Sequence, residues 1–288
     1  MSSNSTNKDN WDIVIRPPHK QGWLNINFLQ IFQYWYLIYL FVRRDFVIFY
    51  KQTILGPLWY IIQPLLNTLV FTVIFGKVAK IPTDGIPPFV FYLSGTIVWS
   101  YFSTCVNQTG STFVKQAQIF GKVYFPRITV PISIAITTGF QFITQFIIFL
   151  SFFFYFKFSG SILQPNIYVI AVPLILLHMA ILSVGIGLII SAATAKYRDL
   201  RFAMGFLIQL WMYLTPIVYP LSEVPDKFRL IILLNPMTAV VESFRGAFFG
   251  INSLTQTDLL ISISVSIILF IIGLISFSRV EKTFVDTV

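Results

Sequence analysis

The chain has 288 residues, of which 56% are hydrophobic and only 11% charged, with a net charge of +9 at neutral pH. A soluble domain usually carries about a quarter charged residues, so this chain has too few polar groups to coat a globular surface, and most of its outside must face lipid. Its basic residues sit at the ends of apolar stretches rather than in one block, which argues against nucleic-acid binding, and the single cysteine, Cys105, excludes an intramolecular disulfide and any multi-cysteine metal site.

Residues 1–27 read as a polar cytoplasmic tail, without the apolar core of a cleavable leader. Asn25 or Asn27 can cap a helix that begins near Phe28. From there to residue 50, Phe28, Ile31, Phe32, Trp35, Ile38, Tyr39, Val42, Phe46 and Phe49 recur at helical spacing, while Gln30, Gln33, Arg44 and Lys51 fall largely elsewhere on the wheel. That pattern predicts an amphipathic helix lying in the membrane interface; a helix packed on protein would show the same wheel. Arg43, Arg44 and Lys51 gather towards its end, and after Lys51 the next charge is Lys77.

Six apolar stretches follow, near 57–76, 88–108, 128–157, 166–193, 202–220 and 258–278, each close to or above the roughly 20 residues that cross a bilayer. The third and fourth are long enough to tilt. Pro64, Pro131, Pro173 and Pro216 fall within spans or at their ends, where they mark kinks. With the start inside, the outer segments hold only Lys77, Lys80, Lys157, Lys227, Arg229 and Arg245 of the twenty Lys and Arg residues. The positive-inside rule therefore places both termini in the cytoplasm. The fold expected is an all-α integral membrane protein of six transmembrane helices in one domain, residues 28–288.

Two connecting segments have patterns of their own. Between spans two and three, Ser111 or Thr112 can start a helix and Gly121 can end it. Phe113, Ala117 and Phe120 share one face of that helix, with Lys115 elsewhere. Such a face needs either a groove on a partner or a seat on the chain's own spans. Between spans five and six, the region 222–250 holds two apolar runs, Leu230–Leu234 and Met237–Phe249, separated by Asn235-Pro236. Each is too short to cross. Glu223, Asp226, Lys227 and Arg229 precede the break, and Glu242 and Arg245 follow it. A re-entrant helical hairpin on the outer side fits better than another pair of spans. Glu242 and Arg245 are three apart and can pair on a helix.

No GxxxxGK[ST] phosphate loop occurs, so the chain does not bind and hydrolyse ATP by the usual route. No Asp or Glu lies well inside a span, which disfavours proton coupling, and His178 is the one ionisable candidate deep in a span. Neither a metal-ligand cluster nor a Ser-His-Asp arrangement is recognisable, so no catalytic or metal site is expected. Gln63, Asn67, Gln141, Gln145 and Gln209 place amides inside spans, either for interhelical hydrogen bonds or as a polar pore wall. Trp59, Tyr60, Trp99, Tyr101, Trp211, Tyr213 and Tyr219 either anchor at interfaces or, facing a lumen, offer flat faces to sugar rings.

Four stretches in order resemble the permease subunit of type-2 ABC exporters of lipid-linked surface polysaccharides. They are Arg43-Arg44-Asp45 with Tyr50-Lys51-Gln52-Thr53-Ile54-Leu55-Gly56-Pro57-Leu58-Trp59 and Gln63-Pro64; Phe120-Gly121-Lys122-Val123-Tyr124-Phe125-Pro126-Arg127; Tyr197-Arg198-Asp199-Leu200 with Gln209-Leu210-Trp211 and Thr215-Pro216-Ile217-Val218-Tyr219-Pro220; and Asn235-Pro236-Met237-Thr238 with Glu242, Phe244-Arg245 and Gly250. The resemblance implies a homodimeric permease of the bacterial inner membrane with two copies of a separate ATPase that binds ATP and Mg. It implies that the helix at 112–121 couples to that ATPase through Thr112, Phe113, Lys115, Ala117, Phe120 and Gly121. Spans one and five would line the channel, with Trp59, Tyr60, Gln63, Trp211, Tyr213 and Tyr219 as candidates. The region 222–250 would close the outer gate around Asn235, Pro236, Glu242 and Arg245. The cargo implied is an O-antigen-like glycan on a polyprenyl diphosphate, drawn by Arg43, Arg44 and Lys51. Positive-inside topology alone also explains those three cations. The match to teichoic-acid exporters is looser. A permease for a drug or small lipid shares the architecture, and a membrane enzyme acting on lipid-linked sugars is the alternative of another class.

Overall fold

The computed structural model describes residues 32–51, 56–123, 125–161, 163–197, 199–251 and 254–284, and among these it contains helices and no strand. Helix α1 spans Trp35–Lys51; the expected tail and the caps at Asn25 and Asn27 lie outside the described residues. Helix α2 runs over Trp59–Phe71 with Pro64 inside it and continues as a π-helical turn, Thr72–Val78. Helix α3, Pro88–Gly110, opens on a proline, whose missing N–H is no loss in a first turn. The short α4 covers Thr112–Phe120 and α5 Thr129–Phe158. A 3-10 turn, Ile167–Ala171, leads into α6, Val172–Lys196. Then come α7 (Leu200–Leu214), α8 (Asp226–Leu234), α9 (Pro236–Phe249) and α10 (Gln256–Phe284).

Among the described residues, five helices are long and apolar enough to cross a membrane: Trp59–Val78, Pro88–Gly110, Thr129–Phe158, Ile167–Lys196 and Gln256–Glu281. The expected span at 202–220 is different. Its helix stops at Leu214 after 15 residues, a length of about 22 Å against a hydrocarbon core of about 30 Å. The physical reason is Pro216, which disfavours helical geometry in the residue before it. Thr215 is extended, with φ −102° and ψ 138°. Helices α8 and α9 meet at a bend of 97° and would be a sixth crossing only if counted as one span.

Helix α3 is the centre of the bundle, packed by α2, α5, α6, α7 and α9. In α3, 78% of the most apolar window is buried, against 11% in Trp59–Val78, so α2 lies on the outside of the bundle. Helices α6 and α10 approach closely enough that a β-carbon on Gly273 would run into the carbonyl of Gly185. Small residues permit such backbone contact between membrane helices. Phe149 and Phe153 of α5 interlock with Phe244, Phe248 and Phe249 of α9, with the Phe149 and Phe248 rings 5.0 Å apart and edge to face. Much of the chain's phenylalanine thus builds a dry interior, in the offset and edge-on geometries that aromatic rings prefer.

Candidate functional site

The seat of α4 is built by aromatics. Phe113 is fully buried and stacks on Phe277 near the end of α10, with centroids 4.6 Å apart. Phe120 is buried against Phe113 and Phe125, and Phe125 in turn meets Phe41 of α1. The guanidinium of Arg127 lies 5.2 Å over the Phe120 ring, and its Nη1 donates to the carbonyl of Glu281 at 2.6 Å. The apolar face of α4 therefore rests on the chain's own bundle. Of the residues expected to couple, Thr112, Phe113 and Phe120 are buried, Ala117 is half-buried, and Lys115 and Gly121 are exposed beside Gln118 and Lys122. The expected cap is absent: the Ser111 hydroxyl donates back into α3, to the carbonyls of Asn107 (3.1 Å) and Gln108 (2.9 Å). Gly121 does end the helix, in right-handed geometry.

In α2, Pro64 has no N–H for the carbonyl four residues back, that of Tyr60. The side-chain amide of Gln145, from α5, donates to that carbonyl at 3.1 Å. Gln145 is thus an interhelical tie. Gln63 and Asn67 of α2 and Gln209 of α7 are exposed and make no side-chain hydrogen bond within the described residues. Trp59 and Tyr213 are exposed on the same two helices, while Tyr60 is half-buried. Trp211 packs edge to face on Phe102, 5.5 Å away, and half-buried Tyr219 donates its hydroxyl to the carbonyl of Tyr213 at 3.3 Å.

The 97° bend between α8 and α9 is held by the side chain of Asn235. The Asn235 side chain accepts from the amide of Met237 (3.1 Å) and donates to the Thr215 hydroxyl (2.9 Å). Pro236 occupies the first turn of α9, and its carbonyl accepts from Ser262 of α10 at 2.9 Å. Glu242 and Arg245 pair at 3.3 Å with side chains only 5% and 3% exposed. The guanidinium also donates to the carbonyls of Pro216 (2.5 Å) and Ile217 (2.8 Å) and to Ser94 (3.3 Å), and sits 3.7 Å over the Phe91 ring. Gly95 leaves room for it, since a β-carbon there would meet Arg245 Nη2 at 3.1 Å and Ile217 at 2.9 Å. Arg245 thus satisfies the unwound backbone that follows α7, which a lipid environment requires. The pair reads as an anchor. The partners of Arg245 are mostly carbonyls of other elements, and only the i, i+3 spacing of the pair was visible beforehand.

The three cations of α1 divide. Arg44 is held by Asp45 (2.9 Å) and lies over the Phe41 ring, whereas Arg43 and Lys51 are exposed.

Comparison with known proteins gives these elements a context. The model of the ABC-2 type transporter family matches residues 36–249. An O-antigen export system permease protein of Klebsiella pneumoniae is 29% identical over 250 residues, covering 87% of this chain and 94% of that protein. A protein of the same name from Myxococcus xanthus is 28% identical over 244 residues, covering 83% and 90%. The polysialic acid transport protein KpsM of Escherichia coli is 26% identical over 193 residues, covering 67% and 73%. The family match runs from the second residue of α1 to the end of α9, including the seated α4 and the α8–α9 bend beside Arg245, and the chain belongs to the ABC-2 type transporter family.

Proposed function

We propose that this chain is the membrane permease of an ABC exporter. Two copies of it, with two copies of a separate ATPase, would pass a lipid-linked, O-antigen-like polysaccharide across the bacterial inner membrane, with both chain ends on the cytoplasmic side. Relatives named for O-antigen export and polysialic acid transport support the choice of cargo. The observation that carries the reading is the set of exposed amides on α2 and α7, Gln63, Asn67 and Gln209. An amide facing hydrocarbon without a partner costs on the order of several kcal/mol, so these faces belong against water or a second copy. Two such helices from each copy would wall a wet passage, and Trp59 and Tyr213 would offer it flat aromatic surface. An ATPase would meet the polar side of α4, with Lys115 and Gln118, and Lys122 in the turn that follows it. Hydrolysis would shift α4, and with it the helices that seat it.

The test is deletion of the chain in cells that make a surface polysaccharide. Export predicts loss of the polymer from the surface and its build-up on the lipid carrier inside, both reversed by the intact chain but not by one carrying Gln63→Leu with Gln209→Leu. Unchanged surface glycan would overturn the reading in favour of a permease for a drug or small lipid. Activity of the purified chain on lipid-linked sugars with no ATPase present would point to an enzyme.

A further inference from the structure

A groove of about 410 Å³ runs between α5 and α6, with Tyr101 of α3 and Phe270 of α10 in its floor. Every residue that lines it belongs to a helix long enough to cross the membrane, so it stands at hydrocarbon depth. The lining is apolar apart from Tyr101, whose hydroxyl is given to the carbonyl of Ala135 at 3.4 Å. The groove opens onto the outer surface of the same two helices, where Phe140, Ile143 and Leu174 are exposed. It is thus continuous with the surface that these spans present to lipid.

Gly139 marks the space as one kept for something else. A β-carbon on Gly110, Gly185, Gly187 or Gly273 would run into a neighbouring helix, so those glycines serve close approach within the chain. A β-carbon on Gly139 would meet nothing within 4 Å. Glycine inside a helix costs about 1 kcal/mol relative to alanine, and no contact within the described residues accounts for it here. Ala135, one turn earlier, and Ala180, on the opposite wall, keep the same space clear.

The dimensions decide between occupants. From Pro173 to Val184 the wall on α6 is about 16 Å long at 1.5 Å per residue. One leaflet is about as deep, being half of a hydrocarbon core of about 30 Å. Spread over that length, the volume corresponds to a cross-section of about 25 Å². A helix with its side chains is about 10 Å across and needs about 80 Å², so a helix of a second copy does not fit, whereas a single hydrocarbon chain does. The residues proposed to face a second copy, on α2 and α7, take no part in the lining.

We propose that this groove holds one acyl tail of a membrane phospholipid, wedged between α5 and α6. The tail meets protein on three sides and gains dispersion contacts that a tail in the open bilayer shares with other mobile tails. It completes the packing of α5 on α6 where Ala135, Gly139 and Ala180 leave it unfilled.

The experiment uses the full chain without an ATPase, so its outcome is separate from that of the export reading. The chain is stripped of lipid in detergent, and phosphatidylcholine with either hexanoyl or myristoyl tails is added back while the thermal midpoint is followed. Myristoyl lipid raises the midpoint by a few degrees; hexanoyl lipid, whose tails leave much of the groove empty, does not. Gly139→Leu with Ala180→Leu fills the space with the chain's own side chains. Its lipid-free midpoint is at least that of the parent, and its response to myristoyl lipid is lost. Ser151→Leu, which adds similar bulk on the exposed side of α5, keeps the response. Native mass spectrometry finds a retained phospholipid on the parent and none on the double variant. Should the double variant not fold, Gly139→Val, with its β-carbon in open space, carries the same comparison. No gain from myristoyl lipid in the parent, or the same gain in the filled variant, overturns the proposal. So does a filled variant that loses dimers and keeps its lipid, which would name a second copy as the occupant.

Discussion

The side-chain amide of Gln145 donates to the carbonyl of Tyr60, which Pro64 leaves without its helical partner. A proline in a membrane helix exposes a backbone acceptor to hydrocarbon, and here a neighbouring helix supplies the donor. Gln145→Leu should therefore cost about 1–3 kcal/mol. The check is a double-mutant cycle: with Pro64→Ala, which restores the helical N–H, the same substitution should cost clearly less. Equal costs in both backgrounds would show that the tie is not what stabilises α2.

Arg245→Ala should be among the most damaging substitutions in the chain, at about 3–5 kcal/mol, because it takes the guanidinium away from a buried Glu242 and two carbonyls. Arg245→Lys should recover little, since one ammonium cannot replace a fork that reaches Glu242, Pro216 and Ile217 together. Yield of the monodisperse chain and its unfolding midpoint measure both.

Phe113→Asp and Phe120→Asp should unfold the chain rather than uncouple it. Truncating a buried phenylalanine already costs about 3–5 kcal/mol, and both rings are buried against the bundle. Lys115→Glu with Gln118→Glu, on the exposed side of α4, should leave the thermal midpoint within about a degree or two, since exposed substitutions change stability by about 0.5 kcal/mol or less. It should lower export and the stimulation of the ATPase. Normal export in that variant would move the contact with the ATPase elsewhere.

Of the channel candidates, Tyr213→Ala should alter polymer export without loss of stability, being exposed. Trp211→Ala should lower stability, because its ring packs on Phe102. Thermal melts beside export assays separate the two.

The spans were legible where hydropathy and punctuation agree. Pro88 at the start of α3 and Asn166 ahead of Ile167 sit at the observed boundaries. The helix of the fifth stretch ends earlier than its hydropathy suggests, because Thr215-Pro216-Ile217-Val218 is as apolar as the helix before it and hydropathy does not register that the backbone has left helical geometry there. The seat of α4 was half legible. Its apolar face is plain from Phe113, Ala117 and Phe120, but nothing local says that Phe277, more than 150 residues on, fills the other side. Ser111 misled because a hydroxyl that can cap the next helix can equally bond the last turn of the previous one.

Helix α10 has one further property. Near one end Ser262 holds the bend of the hairpin at Pro236, near the other Phe277 lies under α4, and between them Gly273 is pressed against Gly185. The two end contacts are about 22 Å apart along a helix with no proline. Helix α6 also holds α10 at Ser262 and Ser266 through His178 and at Phe270 through Gly185, so one proline-free helix, fixed along its length, carries both the bend between α8 and α9 and the seat of α4.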